Sequence, residues 1–534
     1  MSNPAPVESE PGVTPGAPAV PGPGPGPESA ATAMPNSTVT GLRASLKTIG
    51  GNSIVYFLAQ AGVTAATMIV TPLYTHAMSP RDYGILALAA TASMVVTLVL
   101  SLQLDSAIGR MTVEYKTDAE RRALMGTILI FLLAGGLVTA IVLEVAGGLG
   151  YLNVFRGVPY SPYLRYALWS GYLAIFPFLP IALYTLRGEA RKVLRLRYLT
   201  IGVQIGTGIT LIVIFHQGAI GALRAILAGA VVSAIVAVVL MARHASLRFS
   251  RPLLMASLAF SLPVIPHSIA NWVLQLSDRF VLQNYVDNAQ LGLYQLGYLV
   301  GGAAALFTNA AASALAPLFY WRLRDEKAST QVPALGTYIL LGLTVACVLL
   351  AVYGGTLILL LTPASYHHAV VIVPWIAASY IFVSAYLLQS YATWYVMRTR
   401  QLALGTLAAA VINIGATFLF GSLFGIVGAG IATVIGYAAL ALIQGLIAKQ
   451  LYPIAWEYLR WFKIAVVAGA CLAGCLVIGD AATPVSILER AAVLAAGFPL
   501  GLELLRFWTP TEQTELRGLV RSLGAGAARR AGGR

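Results

Sequence analysis

Residues 261–282 read SLPVIPHSIANWVLQLSDRFVL. With the apolar residues that precede it, this stretch is long enough to cross about 30 Å of hydrocarbon as a helix. His267, Asn271 and Gln275 follow one another at i, i+4 and i+8, which puts them on one helical face, and Asp278 and Arg279 come just behind. A polar stripe in an apolar helix faces a water-filled cleft or another helix, because lipid offers it no partner. Pro263 and Pro266 stand immediately before the stripe. There a missing backbone donor bends the helix, either as a static kink or as a hinge for alternating access.

The rest of the chain is the same material. Of its 534 residues, 58% are hydrophobic and 10% charged, and the mean hydropathy is +0.79. A soluble domain carries about 25% charged residues, so a soluble enzyme is excluded. Apolar runs predict spans near 50–77, 84–109, 123–146, 164–186, 198–216, 222–242, 255–284, 291–318, 335–361, 369–396, 402–423, 430–448, 463–479 and 488–507. The expected fold class is an all-α polytopic membrane protein with about 14 transmembrane helices. Residues 1–42 hold ten prolines and no Lys or Arg, which predicts a disordered cytoplasmic tail. Residues 509–534 form a basic one.

The net charge of +14 would suit nucleic acid only if it were gathered on one face. With a cytoplasmic N-terminus, 28 of the 34 Lys and Arg fall in inside segments and five outside, and Arg279 lies within a span. That is the positive-inside bias of a membrane protein. It places both termini in the cytoplasm and removes nucleic acid as a partner. Cys347, Cys471 and Cys475 lie in apolar runs without metal-ligand spacing, and no metal site is expected.

An internal repeat runs through the chain. Tyr83-Gly84-Ile-Leu matches Leu291-Gly292-Leu-Tyr at an offset of 208, Gln204-Ile-Gly206 matches Asn413-Ile-Gly415 at 209, and Gly218-Ala-Ile-Gly221 matches Gly425-Ile-Val-Gly428 at 207. The unit holds six spans. An even number keeps both copies in one orientation, so two six-helix lobes should be related by a pseudo-two-fold along the membrane normal. The expected division is an N-lobe at 43–250, a C-lobe at 251–450, and two extra helices at 451–508. Span one carries its own stripe, Asn52, Tyr56, Gln60, Thr64, Thr67 and Thr71. Matching stripes predict that spans one and seven border one central cavity.

Arg279 is the only basic residue well inside a span. A lone charge there costs about 2.5–3.5 kcal/mol on insertion scales, so it must pair or meet water. Its forked donors suit a phosphate on a cargo, and the alternative is a structural pair with a carboxylate such as Asp105. Asp278 projects about 100° away around the helix, so the two need share no partner. Asp105 and Asp278 are the candidate carboxylates for proton or sodium coupling, with helix packing as the alternative, and no other cofactor is expected. No GxxxxGK[ST] loop occurs, and the longest outside loop, 147–163, is too short for a catalytic domain. The chain therefore reads as a transporter, not an enzyme.

Phe260-Ser-Leu-Pro-Val-Ile-Pro266, Ser277-Asp-Arg-Phe-Val-Leu282 and Ala289-Gln-Leu-Gly-Leu-Tyr294 resemble one known group. So do Ser79-Pro-Arg-Asp-Tyr83-Gly84 and Leu361-Thr-Pro-Ala-Ser-Tyr366. The group is the polysaccharide-transporter branch of the multidrug/oligosaccharidyl-lipid/polysaccharide exporter superfamily, and the resemblance covers nearly all of the chain after residue 43. It implies a flippase of a bacterial plasma membrane serving O-antigen, exopolysaccharide or capsule synthesis. Its cargo would be an undecaprenyl-diphosphate-linked oligosaccharide, moved between leaflets by alternating access, with a glycan polymerase and a chain-length regulator as partners. Cavities in the group are generally cationic, whereas here Arg279 is the one deep cation. Competing readings are a drug or cation exporter, a lipid II flippase of the same superfamily, and a membrane glycan polymerase.

Overall fold

Helix α2 (Pro80–Ser101) begins where the sequence supplies every element of a helix start. Ser79 Oγ accepts the Asp82 amide at 3.2 Å, the Asp82 carboxylate returns to the Ser79 amide at 3.4 Å, and Pro80 occupies the first turn. In the second repeat, 208 residues on, Asp287 caps α10 (Asn288–Gly301) by accepting the Gln290 amide at 2.8 Å. Each cap contributes about 1 kcal/mol and fixes where its helix enters the bundle.

These two helix starts are also where the repeats meet. A Cβ at Gly84 would run into the Asn288 carbonyl oxygen, and a Cβ at Gly292 into that of Pro80. Pro80 and Asn288, like Gly84 and Gly292, are 208 residues apart, so the contact is reciprocal. A self-complementary contact of this kind is what a two-fold axis produces. Tyr83, Leu88, Leu291, Tyr294 and Tyr366 form the apolar core around it.

The computed structural model describes residues 61–509 apart from 116, 247, 313–318, 320–330, 397 and 480–481, together with Leu58, Glu512 and Gln513. No strand occurs among the described residues. The first repeat continues from α1 (61–77) and α2 through α3 (Leu104–Glu114), α4 (Asp118–Gly148), α5 (Tyr160–Leu186), α6 (Ala190–Ile214) and α7 (Gly218–His244). The second holds α8 (Arg251–Ser261), α9 (Ile265–Leu282), α10, α11 (Ala304–Ala312), α12 (Val332–Leu361), α13 (Ala364–Tyr395) and the 53-residue helical segment Thr399–Leu451.

That last segment cannot be one span, because 53 residues of straight helix would measure about 80 Å, more than twice the hydrocarbon thickness. It reverses at Gly425, at φ 58° and ψ −130°, into α14 (399–424) and α15 (426–451). The two run antiparallel: Gly405 lies against Ile443 and Ile447, Asn413 donates to the Ala432 carbonyl at 3.1 Å, and Gly436 backs onto Asn413. The first repeat has the matching pair, with Gly229 of α7 against Gln204 of α6. Eleven helices are long and apolar enough to span a membrane among the described residues, or twelve when the bent pair α10–α11 counts as one. That count takes 400–451 as one helix; with α14 and α15 as separate spans it becomes thirteen among the described residues, and the expected number of about 14 is not confirmed.

Two features depart from expectation. The second span breaks at Leu102 and Gln103, both left-handed at φ 46° and 54°, with neither Gly nor Pro at the site. Arg490, one of the five basic residues that the charge count puts outside and near the start of the span expected at 488–507, is buried in α17 (Pro484–Leu504), 1% exposed. Its guanidinium donates to the Val352 carbonyl and to Thr356 Oγ1 of α12, both at 3.1 Å. With α16 (Tyr458–Ile478), this docks the two helices beyond the repeats.

Candidate functional site

The seventh span is two helices. Leu262–Val264 tightens into a single short turn between α8 and α9; Pro263 lies within that turn and Pro266 in the first turn of α9, so the prolines mark the interruption. The halves have different partners. Helix α8 leans on the first repeat, where Ser257 Oγ stands 3.3 Å from Met111 Sδ of α3. Helix α9 packs in the second, where Ala270 and Leu274 share a core with Ala409, Ala410 and Tyr437 of α14 and α15. The break thus lies where the chain crosses from one lobe to the other.

Along α9 the polar stripe forms as its spacing predicts. Asn271 Nδ2 lies 3.0 Å from His267 Nε2 and donates to the His267 carbonyl at 3.1 Å. His267 and Asn271 are half-buried and Gln275 is exposed. These three offer amide and imidazole groups able to exchange hydrogen bonds with hydroxyl-rich or phosphate-bearing molecules.

Arg279 does not join them, and here the expectation of a cargo-facing guanidinium is corrected. It is 1% exposed. Its Nη1 lies 2.7 Å from Asp278 Oδ1 and 3.0 Å from the Gln275 carbonyl, while Nε and Nη2 reach Gln295 Oε1 at 3.0 and 2.9 Å. The guanidinium carbon stands 4.4 Å from the Tyr298 ring centre. Asp278, 4% exposed, also accepts the Tyr294 hydroxyl. The two residues do share a partner, namely each other, because the long arginine arm folds back along the helix. A buried, neutralised pair of this kind ties α9 to α10, and Asp278 is committed to it.

Asp105, half-buried, is the second residue of α3, just past the left-handed break, and does not pair with Arg279. In α1, Thr67 Oγ1 donates to the Val63 carbonyl at 3.0 Å and Thr71 Oγ1 to that of Thr67 at 2.7 Å. Thr64 is half-buried. Asn52 and Gln60 lie outside the described residues. Thr71 and Pro72 line a cleft of about 410 Å³ with Leu296, Val300 and Ile358, so this end of α1 borders α10 and α12 rather than the α9 stripe.

Sequence reasoning missed a second polar group in the C-terminal repeat. Gln444 of α15, fully buried, donates to Thr393 Oγ1 of α13 at 2.5 Å, and Gln389, one helical turn before Thr393, lies against Gly445. Glutamines inside apolar runs were the signal.

Comparison with known proteins agrees with this architecture. A family described as polysaccharide biosynthesis protein matches residues 49–320. No curated protein matches the chain by sequence. Similar solved structures include the lipid II flippase MurJ in an inward closed conformation, at 13% identity and TM-score 0.65, covering 84% of this chain and 98% of that one. An inward-facing multidrug resistance MATE family transporter of the MOP superfamily follows at 18% identity and TM-score 0.53, covering 74% and 94%. The Vibrio cholerae MATE transporter VcmN has 15% identity and TM-score 0.52, covering 76% and 97%. The chain therefore belongs to the polysaccharide biosynthesis protein family and is a multi-pass, all-helical membrane protein with the fold shared by these transporters.

Proposed function

We propose that this protein is a lipid-linked oligosaccharide flippase, carrying undecaprenyl-diphosphate-linked glycan units across a bacterial plasma membrane for O-antigen, exopolysaccharide or capsule synthesis. The observation that carries the reading is the polysaccharide family match over residues 49–320, set on two repeats that meet through the reciprocal Gly84–Gly292 contact. Sugars and a diphosphate cannot cross hydrocarbon without replacement hydrogen bonds. Two lobes parting around a polar hollow supply them while the lipid tail stays in the bilayer.

In this reading residues 43–250 and 251–450 are the moving lobes, and the break at Pro263 and Pro266 is the hinge. His267, Asn271 and Gln275 contact the headgroup together with Asn52, Gln60, Thr64 and Thr67. Asp105 is the carboxylate that couples transport to protons or sodium, since Asp278 is held by Arg279. Both termini are cytoplasmic, and a glycan polymerase and a chain-length regulator take the product on the far side.

The test is reconstitution in vesicles with an undecaprenyl-diphosphate oligosaccharide bearing a fluorescent sugar, whose exposure is read by an impermeant quencher. Wild type should equalise the leaflets, and Asn271→Ala/Gln275→Ala should do so at least about tenfold more slowly, as loss of two hydrogen bonds to a charged or polar headgroup implies. Translocation no faster than in protein-free vesicles, or of a cationic dye alone, would overturn the reading.

A further inference from the structure

At the end of the first repeat opposite the Gly84–Gly292 contact, four helix ends enclose a cavity of about 370 Å³. Arg121, Arg122 and Asp118 come from the start of α4, Arg187 follows α5, His244 ends α7, and Thr112 lies near the end of α3. Met125 and Leu183, both part of the buried core, and the exposed Leu186 line its remaining wall. The site is built, not merely charged. Arg121 Nε donates to the Thr112 and Tyr115 carbonyls at 3.1 and 2.9 Å, and its Nη1 lies 3.5 Å from Asp118, which neutralises the one carboxylate in the lining. That leaves Arg122 and Arg187 exposed and without an ion-pair partner among the described residues. Thr112 Oγ1 is buried and has no hydrogen-bond partner among them either.

We infer that this cavity is a binding site for the phosphodiester headgroup of an anionic phospholipid. Two unpaired guanidiniums and an orphaned hydroxyl match phosphate oxygens, and the apolar wall matches the glycerol and the first methylenes of the acyl chains. Basic pockets between transmembrane helices at the positively charged face of a membrane protein have this chemistry. All lining residues belong to one repeat, so the site is separate from the space between lobes. It does adjoin the linker joining them: the Ser246 amide donates to the Arg122 carbonyl at 2.8 Å and the Ser250 amide to Thr127 Oγ1 at 3.1 Å.

The test uses the full chain purified in detergent, with binding of phosphatidylglycerol and phosphatidylcholine read by native mass spectrometry and by thermal shift. Wild type should hold phosphatidylglycerol at least about tenfold more tightly. Arg122→Gln/Arg187→Gln should weaken that binding about 25-fold, since each cation near a phosphate is worth about 1 kcal/mol, or fivefold. Arg110→Gln removes an equal charge at the same end but outside the cavity, in an exposed pair with Glu114, and should change nothing. An equal loss in Arg110→Gln would mean diffuse charge and overturn the site, as would no lipid preference in wild type. Competition by inorganic phosphate at the affinity of the lipid would assign the pocket to a soluble anion instead. If the double variant does not insert, each single variant asks the same question at fivefold.

Discussion

Arg279→Met separates the two roles open to this residue. The substitution removes the cation from the Asp278 carboxylate, 4% exposed, leaving it the Tyr294 hydroxyl and the residue-279 amide, neither of which carries a charge, and removes two donors from Gln295 Oε1. Breaking a buried ion pair from one side costs about 3–5 kcal/mol, because the surviving charge stays desolvated. Hydrogen bonds between membrane helices average about 0.6 kcal/mol, too little to set the outcome. Asp278→Asn strands the guanidinium in the same way. The double variant removes both charges at once, so its loss should fall short of the sum of the single losses by about 2–3 kcal/mol, within the range seen for contacting residues. Unfolding of the three variants in detergent by graded addition of SDS measures this, with transport per inserted molecule read alongside. Single variants within about 0.5 kcal/mol of wild type, or strictly additive losses, would refute a structural pair. A stable Arg279→Met that inserts normally and no longer transports would return the residue to the cargo.

Three further sets of substitutions test the frame around the site. Gly84→Val and Gly292→Val should impair transport equally, since each forces a side chain into the other lobe's backbone, whereas Gly109→Ala, with open space around its Cβ, should be neutral or stabilising by up to about 1 kcal/mol; cysteine cross-linking between residues 80 and 288 reads the separation. Gly425→Ala should destabilise the α14–α15 hairpin by about 1–3 kcal/mol, because φ 58° with ψ −130° suits only glycine, and thermal unfolding checks it. Arg490→Met should loosen α16 and α17 from α12 by leaving Thr356 Oγ1 without its donor and the Val352 carbonyl with only its helix bond, at about 1–3 kcal/mol for the buried hydroxyl, seen as faster proteolysis near residue 480 with α1–α15 intact.

The helices were legible because lipid enforces them: an unpaired backbone group in hydrocarbon is so costly that each long apolar run must be helical. The repeat was legible for a related reason. Close backbone approach admits only glycine, so Gly84 and Gly292 had to recur at the same offset, and their reciprocal contact followed from that. What stayed hidden depends on reach and on partners far away in sequence. Arg279 and Asp278 point apart at the Cα, and only the length of the guanidinium arm lets them meet. Arg490 counts as an outside residue in the sequence because nothing near it announces that Val352 and Thr356 supply its acceptors from 134 to 138 residues away. The break at Leu102–Gln103 has no Gly or Pro to mark it, and its far side, α3, is held by α8. Those two half-helices lean on one another at the end opposite the Gly84–Gly292 contact, each just beyond an interruption in its own span. If the lobes rock as proposed, a lobe that pivots about the junction must bend at both interruptions or pull Ser257 from Met111, which would couple the seventh span's prolines to the second span's left-handed pair.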